Sequence, residues 1–134
     1  MTDSKIPDTY HPFVDLIGLR IDKHSNGHSE CSMDVREDLF NPHRVVHGGV
    51  LFSIADTGMG AALYPSLKQD EICATIEIKI TYFQAVRSGT IRCVTDVINR
   101  GKSVAHLEAS IFCGDALVAK ANGNYSIFTP RRQQ

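Results

Sequence analysis

The segment from Gly48 to Tyr64 constrains the fold most, because it is long, apolar and ended by Pro65. It is predicted to form one helix whose small and large apolar residues lie on nearly every side: Val50, Leu51, Ile54, Ala55, Met59, Ala61, Ala62 and Leu63. A helix that is apolar around its circumference is normally buried around its circumference. Two features conflict with this picture: the helix opens with two glycines, and it carries an acid, Asp56.

The rest of the chain is predicted to be mostly strands. Residues 73–83, "CATIEIKITYF", alternate with a period of two, which is typical of a strand with one face buried. Asn26-Gly27 predicts an early hairpin between two short strands, and a helical turn is possible within "HPFVDLIG". After the helix we expect a meander of about four strands joined as consecutive antiparallel hairpins. The fold class is therefore α+β, as one domain over residues 1–134, with an N-terminal arm (1–12) and a flexible tail (129–134).

A single sheet can cover only one side of a helix. Since this helix is apolar on nearly every side, one sheet should not be able to bury it alone. We therefore expect an oligomer in which a second copy covers the side that the sheet leaves open. Small residues would let another backbone approach closely at Gly58, Gly60, Ala61 and Ala62.

Composition excludes several classes of function. The chain has 134 residues and a formal net charge of -1, so it lacks the basic face that nucleic-acid binding requires. The N-terminus shows no signal-peptide pattern, and a charged residue within the apolar run argues against a membrane span. The four dispersed cysteines are expected to be reduced thiols. Together these features predict a cytoplasmic protein with no membrane or nucleic-acid partner.

The motif at the start of the helix resembles that of the hotdog-fold acyl-CoA thioesterases, and in particular the phenylacetic acid degradation type. The pattern is N-x5-HGG-x6-D, formed here by Asn41, His47, Gly48, Gly49 and Asp56. "ITYFQAV" and "NRGKS" lie where that family places its central strand and a coenzyme-contacting hairpin. The resemblance covers roughly residues 17–128.

The resemblance implies a hotdog fold, with a long central helix wrapped by a five- to six-stranded antiparallel sheet. It further implies dimers whose sheets join edge to edge and which pair again into tetramers. The active site would lie between subunits, with the Asp56 carboxylate of one protomer facing the Gly48-Gly49 turn of the other. The substrate would be an acyl- or aryl-CoA, hydrolysed to the free acid and coenzyme A, and no cofactor or metal is expected.

The residue types in the motif suit this chemistry. A helix N-terminus presents unpaired N–H groups and partial positive charge, which stabilise an oxyanion on a thioester carbonyl. We expect the Gly49 amide to be the principal donor, with Gly48 allowing close approach of the substrate. Asp56 lies seven residues further on, about 10 Å along the helix, so it should act on a carbonyl bound by the partner. It could be a general base or a nucleophile, and both routes stay open.

Supporting roles follow from the resemblance. Asn41 would orient the water or the thioester, His47 would shape the turn and contact the sulfur side, and Thr75 would supply a hydroxyl near the reacting water. The coenzyme would contact the residues Gly48, Tyr82, Arg100, Gly101, Lys102 and Ser103, with Arg87 and Arg131 as further candidates. The acyl pocket would involve Phe52, Met59, Tyr64 and Phe83.

Three alternatives fit the sequence less well. His43 and His47, four residues apart, could suggest a metal pair, but Pro42 and the glycines place them in a loop without a third ligand. An enoyl-CoA hydratase of the same fold would need an Asp-x4-His pairing that does not follow the hairpin here. A non-catalytic acyl-CoA-binding module is disfavoured by the presence of Asp56.

Overall fold

The computed structural model describes residues 11–131, so most of the predicted N-terminal arm and the last three residues of the tail lie outside it. Two helices and six strands follow one another along the chain. They are α1 (Pro12–Ile17), β1 (Arg20–Ser25), β2 (His28–Asp34), α2 (Gly48–Leu63), β3 (Ile72–Tyr82), β4 (Thr90–Arg100), β5 (Val104–Cys113) and β6 (Ala116–Phe128), with short 3-10 turns at Glu37–Leu39 and Tyr64–Ser66.

All six strands form one antiparallel sheet in the order β1-β2-β4-β5-β6-β3. The two-residue turn at Asn26-Gly27 joins β1 to β2 as predicted, and Gly27 takes the positive φ of 87° that this turn needs. β4, β5 and β6 are consecutive hairpins. The expected pairing of β3 with β4 is wrong: β4 pairs with β2, and β3 pairs with β6.

β3 is therefore an edge strand of this sheet and not a central one. It has an irregularity in its pairing between Thr75 and Glu77, and Ile76 is 55% exposed beside it. The apolar run that looked like a half-buried inner strand thus presents unpaired backbone groups and apolar side chains along one sheet edge. Such an edge is normally protected or paired.

Helix α2 lies across the inner face of the sheet, with contacts to all six strands. One side of it is fully buried, and there Ile54, Met59 and Leu63 have no exposed surface. Gly58 is required for this packing, because a Cβ there would lie 2.8 Å from Thr95 Oγ1. The atoms that approach Gly58 are side-chain atoms of the sheet and not another backbone, and a Cβ at Gly60 would meet nothing within 4 Å, so the expected approach of another backbone stays a prediction.

The opposite side of α2 is only half covered. It carries what we call the open stripe, formed by Phe52, Ser53, Asp56, Thr57 and Gly60, each partly exposed. Three of these five residues are polar, so the helix is less uniformly apolar than its sequence suggested. One chain does leave a side of α2 partly uncovered; whether a second copy covers it stays a prediction.

The long helix on a six-stranded antiparallel sheet confirms the hotdog fold. The helix starts at Gly48 as predicted and ends one residue early, where Tyr64 begins a 3-10 turn.

No helix in the described residues 11–131 is long and apolar enough to cross a membrane. All four cysteines are free, and burial raises the pKa of the Cys31 thiol to about 12 and that of Cys93 to about 11.

Candidate active site

The Asp56 carboxylate lies on the open stripe and is held from the sheet by two hydroxyl groups. Thr75 Oγ1, on β3, donates to Asp56 Oδ1 over 2.8 Å. Tyr125, on β6, donates through its OH to the same Oδ1 and also reaches the backbone carbonyl of Asp56 over 2.8 Å. Oδ2 has no hydrogen-bond partner among residues 11–131. The arrangement orders the carboxylate and leaves one oxygen available.

Tyr125 was missed by the sequence prediction. It is 3% exposed, and burial, followed by the hydrogen bond to Asp56, raises the pKa of its phenol well above the usual range. Tyr125 therefore stays protonated and acts as a donor. Its alternating position in "NGNYSIF" indicated only that it points inward. That its OH would reach an acid on α2 depends on the pairing of β6 with β3, which the local pattern does not show.

At the N-terminus of α2, the imidazole of His47 caps the helix. Its Nδ1 accepts a hydrogen bond from the Gly49 N–H over 2.8 Å. The structure therefore does not support Gly49 as the principal oxyanion donor, because that N–H is already used within the chain. The Gly48 N–H, by contrast, has no acceptor in the described part of the chain. His47 does shape the turn, as expected.

The structure gives its own reason for the two glycines. A Cβ on Gly48 would lie 3.1 Å from Tyr82 Cζ, and a Cβ on Gly49 would lie 2.9 Å from His47 Nδ1. The Tyr82 OH also donates to the Gly48 carbonyl over 2.8 Å. Side chains of this chain thus crowd both positions, and a larger residue at either one would have to displace Tyr82 or His47.

Asn41 organises the loop that leads into the helix. Its side-chain Oδ1 accepts from the His43 N–H over 2.9 Å and from the Val45 N–H over 3.4 Å. The turn is tight enough to place Arg44 at a positive φ of 64°. The side-chain nitrogen Nδ2 of Asn41 has no partner in the region described, so it is the donor that this side chain still has to offer.

Two pairs of predicted site residues are in contact, and one pair is not. Thr75 is hydrogen-bonded to the Asp56 carboxylate, and the His47 imidazole is hydrogen-bonded to the Gly49 N–H. Asp56 and Gly48, however, are eight residues apart on one helix, which is about 12 Å of rise. Within one chain they cannot contact the same carbonyl carbon.

The predicted coenzyme contacts divide into two sets. Arg100 is not free to bind a phosphate: its guanidinium contacts Glu71 Oε1 at 3.1 Å and the carbonyl oxygens of Ser66 at 3.3 Å and Gly101 at 2.7 Å. This assignment is not supported, because these bonds tie the β4–β5 turn to the segment that follows α2. Lys102 and Ser103, in the same turn, are exposed, as are Arg87 and Arg131.

The predicted acyl pocket is also divided. Met59 has no exposed surface and packs with its sulfur against Gly123 of β6, so it belongs to the core and the assignment to a pocket is not supported. Phe52 and Tyr64 are half-buried, and Phe83 is 53% exposed. A cavity of about 290 Å³ lies beside the helix N-terminus, lined by Val46, Gly48, Leu51, Tyr82, Phe83, Gln84, Ala85 and Val86.

No group of three or more histidine, cysteine or acidic side chains within residues 11–131 is arranged to hold a metal ion. His43, half of the rejected metal pair, is exposed in the loop before α2. The groups available for chemistry at this site are the Asp56 carboxylate and the backbone N–H groups at the start of α2.

Comparison with known proteins supports a single family. Residues 43–120 match the model described as the thioesterase superfamily, a range that includes His47 and Asp56 but not Asn41 or Tyr125. A conserved protein of Pseudomonas aeruginosa has a similar structure, with a TM-score of 0.83 and 32% identity, over 91% of this chain and 100% of that one. A 1,4-dihydroxy-2-naphthoyl-CoA hydrolase of Listeria monocytogenes is 26% identical over 97 residues, 72% of this chain and 79% of its own length.

A more distant structure has the same fold. The phenylacetic acid degradation protein of Thermus thermophilus is similar with a TM-score of 0.81 and 20% identity, over 87% of this chain and 98% of that one.

Proposed function

The chain belongs to the thioesterase superfamily, and on that premise we propose that it hydrolyses the thioester of an acyl-CoA to the free acid and coenzyme A. The observation that carries the proposal is the Asp56 carboxylate on the open stripe. Thr75 and Tyr125 hold its Oδ1, and its Oδ2 is left without a partner among residues 11–131. A fixed, partly exposed carboxylate is suited to activate a water molecule or to attack a carbonyl carbon.

The carbonyl oxygen of the thioester would be bound at the N-terminus of α2. We propose the Gly48 N–H as its main donor, with the Asn41 amide nitrogen as a second candidate, because neither has an acceptor within the described residues. The partial positive charge of a helix N-terminus adds to the stabilisation of the developing oxyanion. The thiolate of coenzyme A then leaves and takes up a proton.

The role of the Gly48 N–H can be tested with proline, which has no backbone N–H. Gly48 is the first residue of the helix, and His47 before it has an extended ψ of 136°, so the backbone accepts proline at position 48, and the Cβ of proline meets Tyr82 as the Cβ of alanine does. Gly48→Pro removes the N–H, whereas the matched control Gly48→Ala adds a Cβ and keeps it. We expect kcat for Gly48→Pro to be roughly 100-fold or more below that of Gly48→Ala. Equal kcat values would move the donor role away from Gly48.

Because Asp56 and Gly48 are too far apart in one chain, we propose that the site forms between two copies. The exposed edge strand β3, with Ile76 and Tyr82 exposed, is the surface that a second β3 would pair with. The two sheets would then be continuous, and β3 would become the central strand that the resemblance implies. Pairing of such dimers into tetramers, and a cytoplasmic location, remain predictions.

Subunit mixing tests this arrangement. Asp56→Asn and Gly48→Pro homodimers should each be inactive. In a re-equilibrated equal mixture, half of the dimers are mixed, and each mixed dimer regains one intact site of two, so activity should return to about a quarter of wild type. A mixture as inactive as its components, with mixed dimers verified by mass spectrometry, would exclude a site shared between subunits.

For the coenzyme, we propose Lys102 and Ser103 in the β4–β5 turn as phosphate contacts, since both are exposed. For the acyl group, we propose an aromatic acid, held in the 290 Å³ cavity between the helix start and the Tyr82-Phe83 pair. The support is the aromatic lining, together with the aromatic acid named for the Listeria relative.

The direct test is a panel of aromatic and aliphatic acyl-CoAs with a thiol-trapping dye. We expect thiol release, with a higher kcat/KM for aromatic esters. Binding without release would favour the non-catalytic module, and hydration of an enoyl-CoA without release would favour the hydratase. A single turnover in ¹⁸O-water separates the two hydrolytic routes. If Asp56 attacks directly and water then opens the anhydride at the Asp56 carbonyl carbon, the label enters Asp56 and the first product is free of it, whereas general-base catalysis labels the first product at once.

A further inference from the structure

We infer that Tyr125 is a positioning residue, which fixes the Asp56 carboxylate so that Oδ2, and not Oδ1, faces the reacting group. The inference rests on the proposed function for its catalytic meaning. Its structural part, a carboxylate held in one orientation by Tyr125, can be tested separately.

Tyr125 holds Asp56 at two points. Its OH lies 2.8 Å from the backbone carbonyl of Asp56 and also donates to the carboxylate Oδ1. One hydroxyl thus ties both the main chain and the side chain of the same residue to strand β6. Because the ring is 3% exposed within the core, the OH has little freedom to follow a moving carboxylate.

Thr75 completes the arrangement from the next strand. Thr75 and Tyr125 are paired residues of β3 and β6, and both side chains reach Asp56 on α2. Both donate to Oδ1. The negative charge on that oxygen is therefore shared with two O–H groups, while Oδ2 keeps its lone pairs for a water molecule or a carbonyl carbon.

The titratable groups around Asp56 favour this division of roles. The phenol of Tyr125 has its pKa raised, first by burial, so it remains a donor. Cys73, on β3, also has its pKa raised, first by burial and then by the charge of Asp56, so it adds no second negative charge. No cationic side chain within residues 11–131 contacts the carboxylate. Its hydrogen-bond donors in the described part of the chain are the hydroxyl groups of Thr75 and Tyr125.

The test compares two buried hydroxyl groups that both donate to carbonyl oxygens of α2. Tyr125→Phe keeps the ring and removes the OH. Ser29→Ala is the matched control, because Ser29 is fully buried and donates to the Gly58 carbonyl over 2.6 Å without contacting Asp56. Both variants lose one hydrogen bond to the helix, and only one loses a bond to the carboxylate.

We expect Tyr125→Phe to lower kcat by roughly 10-fold or more, with KM changed less than twofold, because a hydrogen bond to a charged group is lost only at the reacting group. Ser29→Ala should change neither. An unchanged kcat in Tyr125→Phe, or the same loss of kcat in Ser29→Ala, would overturn the inference.

Crystal structures of wild type and Tyr125→Phe give a readout that does not depend on turnover. We expect one carboxylate orientation in wild type and more than one in the variant. If wild type hydrolysed no thioester, the proposed function would fail while this comparison still decided the positioning role. A single unchanged orientation in Tyr125→Phe would refute that role.

Discussion

The two sides of helix α2 differ in what they contact and therefore in what they can do. On the buried side, Ile54, Met59 and Leu63 have no exposed surface and fill the space under the sheet. On the open stripe, Ser53, Asp56 and Thr57 remain partly exposed. The same helix thus supplies the core with one face and a carboxylate with the other, and substitutions on the two faces should affect different quantities.

The largest effect on stability is expected for a substitution on the buried side of α2. Met59→Ala should lower the free energy of unfolding by about 2–5 kcal/mol, because it removes a fully buried side chain and leaves a cavity. Thr57→Ala, two residues away on the open stripe, should change it by less than about 0.5 kcal/mol. Denaturant unfolding of both variants measures these two changes in the free energy of unfolding. If Met59→Ala were as stable as Thr57→Ala, Met59 would not be a core residue, and its predicted assignment to the acyl pocket would stand.

A smaller effect is expected at the turn that is tied to the end of the helix. Arg100→Met removes hydrogen bonds to the carbonyl oxygens of Ser66 and Gly101 and should lower stability by about 1–2 kcal/mol. KM for acyl-CoA should stay the same. Lys102→Met, in the same turn, should do the opposite, raising KM in a salt-dependent way at unchanged stability. A raised KM with intact stability in Arg100→Met would restore Arg100 as a coenzyme contact.

The smallest effect is expected on the outer face of the sheet, far from both sides of α2. Hydrogen bonds first to Asp96 and then to Glu30 raise the pKa of His28 above its ordinary value. The protonated ring therefore stabilises the fold below about pH 6.5, and this contribution is lost as pH rises through the raised value. The stability difference between wild type and His28→Gln should be below about 1 kcal/mol at pH 6 and smaller at pH 9. A difference that grew with pH would contradict this assignment.

Much of the fold could be predicted because local patterns determine it. The period of two in strand β3, the Asn26-Gly27 turn and the apolar run that begins at Gly48 are each visible within a dozen residues. The order of the strands in the sheet, by contrast, is not determined by local patterns. Nothing in the sequence of β3 distinguishes an edge strand from a central one, because pairing with β6 depends on residues some 45 positions away.

The candidate site shows the same division. Asp56 and Thr75 were predicted from the resemblance, and the structure joins them by a hydrogen bond of 2.8 Å. The use of the Gly49 N–H by His47 and the ion pair of Arg100 with Glu71 were not predicted. In both cases a donor group has several possible partners nearby. A sequence motif does not show which of these partners the donor binds.

The most direct test of the account is the activity of Asp56→Asn. Asparagine keeps the shape of the side chain and an oxygen that can accept from Thr75 and Tyr125, but it can neither take up a proton nor attack a carbonyl carbon. We predict a fall in thiol release of roughly 10²–10⁴-fold, with the stability and oligomeric state of wild type, while the exposed control Asp70→Asn keeps full activity. Turnover in Asp56→Asn within threefold of wild type would show that the Asp56 carboxylate is not needed for hydrolysis.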